Sequence, residues 1–355
     1  MNKFQVFGLV LASLTSLMAT SANAQITIDL LGIYQTEELC KNNPSLSDHK
    51  LCRAYYRDNP SPNTDTPAPS STTDSTENNL YKQGIQLLRQ GNYQSSLAIF
   101  DRVIAFNPNF AEAYALRALA RSGLKYYQGA LEDANQAIRL DSKLALAYHS
   151  RAYTLYLLRD YQAALEDANQ AMRLKPVAGR YVFRSAIRFA LGNYQDALED
   201  VNRAIRLNSK LAIAYHSRGA ILLALGEEQE ALEDADRAVK LGQTEDSKQL
   251  IAAIYGYRGV TYYELGNIEK SIGDARTAIA LDPESAEAML NLAVILYTKG
   301  DRQNSFRLAE KAISLDRNVA DLAYLKEMGW GKRLLADTQN FFKSPEIKDL
   351  LAVTR

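Results

Sequence analysis

A ten-residue segment of this 355-residue chain recurs at an almost constant interval. The strong copies are LEDANQAIRL (131–140), LEDANQAMRL (165–174), LEDVNRAIRL (198–207) and LEDADRAVKL (232–241), in steps of 34, 33 and 34 residues. Weaker copies lie at residues 96–106, 271–281 and 305–315. Because two helices fit within a period of about 34, the seven copies predict an all-α solenoid of helix–turn–helix units.

Each unit repeats the same packing residues. The first helix carries a large residue, followed four residues later by a small one, and small side chains let neighbouring helices approach to about 8–10 Å. The large residues are Leu80, Tyr114, Tyr148, Tyr181, Tyr215, Tyr255 and Met289. Glycines that mark the turn between the helices are Gly91, Gly192, Gly226, Gly266 and Gly300. On these residues the chain resembles the tetratricopeptide-repeat family over about residues 80–317, which implies a right-handed solenoid with a concave groove for partner proteins.

The resemblance places the residue after each large one, and the residue four positions later, on that groove. We therefore take a mainly aromatic set as candidate groove residues for binding a peptide or helix: Tyr81, His149, Tyr153, Tyr156, His216, Tyr263 and Tyr297. Tyrosine suits such a surface because its ring gives contact area and a hydrogen-bonding hydroxyl. For the histidines, the alternative is that they are polar residues of a solvated groove wall.

The pentapeptide AYHSR occurs twice and contains both of these histidines. A catalytic His–Ser pair is disfavoured, because adjacent helical residues such as His149 and Ser150 point about 100° apart. A shared metal is disfavoured as well, since His149 and His216 lie two units apart, about 20 Å at helix spacings of 8–10 Å. The sequence predicts neither a catalytic site nor a metal site here.

An arginine is followed sixteen residues later by an aspartate in each of the five middle units. The pairs are Arg117/Asp133, Arg151/Asp167, Arg184/Asp200, Arg218/Asp234 and Arg258/Asp274. The first unit has Gln83 and Ile99 at these places, and the last has Leu292 and Leu308. Because the two charges occur together or not at all, we predict a structural salt bridge between the two helices of each middle unit.

The N-terminal region predicts export. Lys3, an uncharged apolar run at residues 4–20 and an A-x-A pattern ending at Ala24 are typical of a signal peptide (residues 1–24) cleaved before Gln25. The run is shorter than the about 20 apolar residues of a membrane span, which disfavours the alternative of a retained anchor. No later segment is apolar enough to span a membrane. The resemblance to exported cyanobacterial repeat proteins favours the periplasm or a related lumen over an extracellular or membrane-anchored location.

The remaining regions complete the predicted domain organisation. Residues 25–58 form a small helical unit in which Cys40 and Cys52 are expected to form a disulfide in an oxidising compartment. Residues 59–79 are rich in Pro, Ser and Thr and predict a disordered linker. The array occupies residues 80–318, and residues 319–355 supply capping helices for its open end. About six inserted residues near 242–251 form either a longer loop or an early start of the next helix, with Asp246 or Ser247 as N-cap.

The composition limits the function. The chain has 41 Lys plus Arg and 41 Asp plus Glu, so no overall positive charge favours nucleic acid. It has no phosphate-binding glycine loop, no H-E-x-x-H and no G-x-S-x-G. We therefore predict a noncatalytic scaffold or adaptor without a cofactor, whose partners are proteins and whose self-association is left open. The alternatives are an envelope-anchoring assembly protein whose N-terminal unit binds cell-wall material, and a regulator of an exported enzyme.

Overall fold

The computed structural model describes residues 72–243, 247–327 and 329–353. The predicted signal peptide, the unit with Cys40 and Cys52, and residues 59–71 of the predicted linker lie outside these residues, so the predictions about them stay predictions. Residues 72–79, which were assigned to the disordered linker, instead belong to the first helix, Thr72–Arg89. Within the described residues the chain is helical and contains no strand, and the prediction of an all-α solenoid is confirmed.

Fourteen helices form seven consecutive antiparallel pairs. They are α1 (Thr72–Arg89), α2 (Tyr93–Phe106), α3 (Ala111–Gly123), α4 (Tyr127–Leu140), α5 (Ala145–Leu157), α6 (Tyr161–Leu174), α7 (Ala178–Ala190), α8 (Tyr194–Leu207), α9 (Ala212–Leu225), α10 (Glu228–Gly242), α11 (Lys248–Glu264), α12 (Ile268–Leu281), α13 (Ala286–Thr298) and α14 (Arg302–Leu315). Each odd-numbered helix packs on its even-numbered partner and on the helices of the neighbouring units. The turns within the pairs form one edge of the array, and the loops between pairs form the other.

The two helices of a unit cross where both carry small side chains. A Cβ added at Gly219 would lie 3.1 Å from the Ala231 carbonyl oxygen, so the backbones touch at this crossing. In the first, sixth and seventh units a serine of the second helix adds a hydrogen bond there. These bonds run from Ser96 Oγ to Gly84 O at 2.9 Å, from Ser271 Oγ to Gly259 O at 2.7 Å, and from Ser305 Oγ to Ala293 O at 2.7 Å.

The insertion before the sixth unit lengthens a helix. Helix α11 has 17 residues, whereas the first helix of the preceding unit, α9, has 14. Ser247 is its N-cap, and Ser247 Oγ accepts a hydrogen bond from the Leu250 amide at 3.2 Å. Of the two alternatives for the insertion, the early helix start with the Ser247 cap is therefore the one that forms.

The C-terminal segment folds back along the array. A 3-10 turn (Arg317–Ala320) and α15 (Leu322–Glu327) follow α14, and the chain continues through α16 (Lys332–Phe342) and α17 (Pro345–Val353). Helix α16 packs against both α11 and α13, which are the first helices of the last two units. Trp330, Leu334 and Phe341 are at most 2% exposed in this contact. None of the helices in the described residues is both long and apolar enough to cross a membrane.

Candidate functional site

The five predicted Arg–Asp pairs all form as two-pronged salt bridges. In each pair the arginine Nε and Nη2 donate to the two carboxylate oxygens of the aspartate sixteen residues later, at 2.6–2.8 Å. The tyrosine three residues before each arginine lies against the guanidinium, at 5.2–5.8 Å from the ring centroid. Parallel hydrogen bonds between a guanidinium and a carboxylate are charge-assisted and fix the relative orientation of both helices.

The aspartates of these pairs are buried between the two helices of their units. Their exposed fractions are 3% for Asp133, 7% for Asp167, 2% for Asp200, 5% for Asp234 and 7% for Asp274. A buried carboxylate needs a paired charge and hydrogen bonds, and the arginine supplies both. The five aspartates therefore stabilise the packing of the two helices in their units, and their carboxylates are not accessible to a partner protein.

In two units the aspartate of the predicted pair holds a second arginine as well. Asp133 also pairs with Arg121, whose Nη1 lies 3.0 Å from its carboxylate. Asp200 also accepts a hydrogen bond from Arg188 Nη1 at 2.8 Å. The physical reason is helical phase: each additional arginine stands four residues after the predicted one and so lies on the same face of the first helix.

In the sixth unit it is the arginine that makes an additional contact. Arg258 holds Asp274 through two hydrogen bonds of 2.7 and 2.8 Å, and it also contacts Asp236 of the preceding unit at 2.9 Å. The hydrogen bond to Asp274 is the main cause that raises the pKa of Arg258 above its ordinary value. The predicted Arg258–Asp274 pair is thus part of a group of three charges.

Each of the five arginines reaches into the preceding unit in this way, which the sequence analysis did not predict. The remaining nitrogen, Nη1, donates to a side chain of the previous unit's second helix. The acceptors are Asp101 at 2.6 Å, Asn135 at 2.7 Å, Asn169 at 2.9 Å, Asn202 at 2.8 Å and Asp236 at 2.9 Å. The five arginines, their paired aspartates and these acceptors are called the arginine ladder below, because together they link six units.

The sequence does contain a signal for the contact between each ladder arginine and the preceding unit. Every acceptor stands two residues after the position of the paired aspartate, so the second helices read D-x-N or D-x-D in most of the middle units. The sixth unit instead has Arg276 at this position, and the seventh unit has Leu292 where the arginine would stand. A ladder arginine at 292 would meet a like charge, which explains why the ladder ends at this boundary.

The two histidines of the AYHSR segments lie inside the array. His149 packs edge-to-face on Phe183 of the next unit at 4.8 Å between ring centroids, and His216 does the same on Tyr257 at 5.1 Å. They are 2% and 0% exposed. No side chain or backbone group in the described part of the chain hydrogen-bonds to their ring nitrogens. The expectation of a solvated groove wall is therefore wrong for both, because the next unit's first helix presents an aromatic ring to each.

This environment changes the ionisation of both rings. Burial lowers the pKa of His149 to about 3, and the positive charge of Arg180 acts in the same direction. Burial alone lowers the pKa of His216 to about 4. A buried imidazole without a hydrogen-bond partner disfavours the charged form, so both rings are neutral near pH 7.

The candidate tyrosines also serve packing. Tyr153 and Tyr156 are buried and contact the same Phe183 ring that holds His149. Tyr81 is half-buried against Phe100 and Phe110.

The other two candidate tyrosines, Tyr263 and Tyr297, contact the C-terminal helix α16. The Tyr263 hydroxyl donates to Asp337 at 2.7 Å, and the Tyr297 ring lies 4.9 Å from that of Phe341. The seven candidate groove residues therefore share one trait, contact with a neighbouring element, rather than an open solvated surface.

Comparison with known families agrees with this geometry. Family models described as "Tetratricopeptide repeat" match residues 81–145, 145–177, 187–246 and 285–318, and one described as "TPR repeat" matches residues 259–300. Together these matches cover more than half of the chain. The chain belongs to the tetratricopeptide-repeat family. No curated protein matches the sequence.

Two solved structures share the tetratricopeptide fold with this chain. One is Cut9–Hcn1, a hetero-tetramer of the APC/C, at 16% identity and a TM-score of 0.59; the match covers 89% of this chain and 54% of that one. The other is a tetratricopeptide repeat protein from Parabacteroides merdae, at 17% identity and a TM-score of 0.54, with 75% and 100% covered. This chain thus spans about half the length of the first. At such identities the comparison shows the fold alone.

The first helices of the last two units of this tetratricopeptide array bind helix α16 of the C-terminal segment. The Glu264 carboxylate accepts hydrogen bonds from the Arg333 and Leu334 amides at 3.0 and 2.9 Å, which satisfies two free amides at the start of α16. Gly331 permits this approach, since a Cβ there would lie 2.1 Å from the Glu264 side chain. Burial raises the pKa of Glu264, and it also raises that of Tyr263 to about 12.

Beside this contact lies a small open cleft of about 440 Å³. It is lined by Tyr263, Ile268, Thr298, Lys299, Arg333, Ala336 and Asp337. Its charged groups are already engaged: Lys299 pairs with Glu269, Arg333 lies on the Tyr263 ring, and Asp337 accepts from the Tyr263 hydroxyl. Across the described residues, no three His, Cys, Asp or Glu side chains are placed to hold a metal ion together.

Proposed function

We propose that the protein is a noncatalytic scaffold that holds partner proteins on a stiff tetratricopeptide array. The observation that carries this proposal is the arginine ladder, which joins six units through ten salt-bridge hydrogen bonds and five further hydrogen bonds to the preceding unit. Membership in the tetratricopeptide-repeat family supports an interaction scaffold in the same way.

The chemistry of the repeated residues also supports a noncatalytic role. The aspartates that recur in the second helices are buried and hold arginines. The histidines are neutral, buried and packed on aromatic rings. A general acid or base must reach a substrate proton at hydrogen-bond distance, and these groups are instead committed to holding units together.

The partner-contacting surface consists of exposed residues along the array. The candidate groove residues are mostly packed, so partners meet the exposed turns, loops and outer positions of the second helices. These positions recur at intervals of one unit, which suits a partner that lies along several units and gains affinity from each of them.

A photocrosslinking experiment in cells tests the scaffold. The crosslinking amino acid replaces an exposed glutamine near the within-unit turn in three successive second helices, at Gln162, Gln195 or Gln229. Exposed Lys143 and Lys210, in loops of the opposite edge, serve as matched positions. We expect the same partner to be recovered from at least two units of one edge. Recovery of no partner from any of the five positions, in protein that is folded by circular dichroism, would refute the scaffold.

We further propose that the scaffold works in the periplasm or a related lumen after removal of residues 1–24. The signal pattern that ends at Ala24 supports this location. N-terminal sequencing of the protein from fractionated cells tests it: we expect a periplasmic or luminal protein that begins at Gln25. An intact N-terminus in the cytoplasmic fraction would contradict the proposal.

A further inference from the structure

The second helices of the fourth and fifth units carry a series of charges that none of the other second helices of the array has. In each of the two, two acidic residues are followed by two basic residues, at intervals of three, four and three positions. The residues are Asp196, Glu199, Arg203 and Arg206 in α8, and Glu230, Glu233, Arg237 and Lys240 in α10. Because these intervals follow the helical repeat, each series runs along one face of its helix. The two series are called the charge stripes below.

All side chains of the charge stripes are exposed, and they do not neutralise one another within the chain. Arg203 lies on the Tyr181 ring at 6.0 Å, and Arg237 lies on the Tyr215 ring at 5.8 Å. Such a contact leaves the positive charge of the guanidinium in place. The interval of four residues would let Glu199 pair with Arg203. In the described structure, however, no salt bridge joins two residues of the stripes.

The residues at the ends of the charge stripes are the least engaged. They are Asp196, Arg206, Glu230 and Lys240. Their side chains make no hydrogen bond, salt bridge or ring contact with any residue that the structure describes. Among the inner residues, Glu199 acts on Arg184: the hydrogen bond to Asp200 is the main cause that raises the pKa of Arg184, and the charge of Glu199 adds to it. The end residues are therefore available to an oppositely charged partner.

The order of charges is symmetric about the middle of each stripe. In α8 the outer acid and the outer base, Asp196 and Arg206, each lie five residues from Val201. The inner acid and the inner base each lie two residues from it. An identical helix placed antiparallel against the stripe therefore sets every acid opposite a base. One two-fold axis that crosses α8 at Val201 and α10 at Ala235 does this for both stripes at once.

Other partners fit the charge stripes less well. A uniformly acidic segment is repelled by the acidic half of each stripe, and a uniformly basic segment is repelled by the basic half. A nucleic acid needs a broad basic surface, and the acidic residues interrupt it here. A fitting partner carries acids and bases at the same intervals in the reverse order, and an antiparallel copy of the protein itself presents such a surface.

We propose that two copies of this protein associate through their charge stripes, with α8 and α10 of one copy antiparallel to the same helices of the other. The pairs between the copies are Asp196 with Arg206, Glu199 with Arg203, Glu230 with Lys240, and Glu233 with Arg237. A single exposed ion pair contributes little, so the dimer depends on several pairs together and weakens as salt screens them. This inference goes beyond the scaffold function, because the dimer joins two arrays and can hold a partner that has two binding segments.

Charge reversal at the ends of the stripes tests the dimer in the full-length protein. The acid-reversed variant is Asp196→Lys with Glu230→Lys, and the base-reversed variant is Arg206→Glu with Lys240→Glu. In either variant the end residues of two copies repel each other. A mixture of the two variants restores opposite charges at every pair, as does one chain that carries all four replacements. Sedimentation velocity over a concentration series at low salt measures the dissociation constant in each case.

We expect a wild-type dimer at low salt that dissociates near 1 M salt, where the Debye length is about 3 Å. Each reversed variant alone should dimerise more weakly by about tenfold or more, since its end pairs become repulsive. The mixture and the chain with all four replacements should return to the wild-type dissociation constant. A wild type that stays monomeric over the whole series would overturn the proposal. Reversed variants that dimerise as strongly as the wild type, or a mixture that does not recover, would overturn it as well.

The matched control is Glu132→Lys with Glu166→Lys, which makes the same change in net charge. These exposed acids lie on the second helices α4 and α6, which lack the full series of charges. We expect the control to dimerise like the wild type, and an equal loss in the control would indicate a general charge effect and overturn the proposal. Because all replaced residues are exposed, every variant should melt within a few degrees of the wild type. Partner crosslinks from Gln162 in the third unit do not depend on the dimer, so a monomeric protein leaves the scaffold proposal unaffected.

Discussion

Replacing Arg218 by leucine measures how much one arginine of the ladder contributes to the free energy of unfolding. Its guanidinium makes two hydrogen bonds to Asp234, at 2.7 Å each, and one to Asn202 at 2.8 Å. The Asp234 side chain is 7% exposed and that of Arg218 is 28% exposed. Arg218→Leu therefore leaves a nearly buried carboxylate without its counter-charge, and we expect the free energy of unfolding to fall by about 3 kcal/mol.

The aspartate replacement and the double replacement complete a cycle. Asp234→Leu leaves the more exposed guanidinium unpaired and should lower the free energy of unfolding by about 2 kcal/mol, since water still reaches that group. The double replacement removes both charges and recreates the apolar residues Leu292 and Leu308 of the last unit. We expect it to lower the free energy by about 2 kcal/mol instead of the additive sum of about 5 kcal/mol, which is a coupling of about 3 kcal/mol.

Urea denaturation followed by circular dichroism gives these free energies, and calorimetry gives the matching melting temperatures. At about 2–4 °C per kcal/mol, Arg218→Leu should melt about 6–12 °C lower. Asn202→Ala, which removes only the contact to the preceding unit, is the matched control and should cost about 1 kcal/mol. Additive losses in the double variant would refute the pairing, and a loss under about 1 kcal/mol for Arg218→Leu would refute its effective burial.

Three further predictions follow from single contacts. The folded-state pKa values of His149 and His216 lie below the unfolded value of about 6.5, so their contribution to the free energy of unfolding is present above about pH 6.5 and lost as the pH falls towards 4. The loss is about 1.4 kcal/mol per pH unit for each histidine. Replacing both by leucine should reduce the pH dependence of the free energy measured by urea denaturation by that amount, and an unchanged pH dependence would contradict their burial. Gly331→Ala forces a Cβ into the Glu264 side chain and should cost about 1–3 kcal/mol, seen as faster proteolysis after residue 330. Adding Glu264→Ala relieves this clash but removes the two hydrogen bonds to the Arg333 and Leu334 amides, so resistance should return only in part, and no return at all would contradict the clash. Ser247→Ala should cost about 1 kcal/mol and speed amide exchange in the first turn of α11 only; faster exchange elsewhere would argue against a local cap.

The periodicity of the sequence predicted the packing of the repeats because packing is local to a unit and its neighbours. The spacing of sixteen residues between Arg151 and Asp167 identifies two side chains that meet across one helix pair, and the structure places them 2.6 Å apart. The contact from Arg151 to Asn135 was missed although its spacing is also sixteen residues. Asparagine carries no charge that would pair with an arginine, so its recurrence at this position does not by itself predict a contact.

The second arginines at Asp133 and Asp200 were missed for a different reason. Arg121 and Arg188 occur in only two units, so they stand outside the repeated pattern from which the pairs were identified. A repeat pattern contains only the residues that most units share, so it does not predict a contact that is present in one or two units.

The orientation of the candidate groove residues could not be derived from the repeats. His149 and Tyr153 stand at positions that the family resemblance assigns to a groove, yet Phe183 of the next unit contacts both rings. A helical phase fixes which face a residue occupies, but the size of the neighbouring unit's side chains decides whether that face stays open. The docking of α16 on Tyr263 was equally unpredictable, because residues 74 positions apart share no periodic signal.

The end of the arginine ladder has a consequence for the order in which the array unfolds. The ladder crosses five boundaries between the described units and stops at the sixth, where Arg276 and Leu292 replace the acceptor and the arginine. Helix α16 touches α11 on one side of that boundary and α13 on the other. Helix α16 thus bridges the boundary between the sixth and seventh units, which lacks the arginine contact found at the other five boundaries. Under heat or tension, release of α16 should come first and free the seventh unit, while the six linked units open later as a single block.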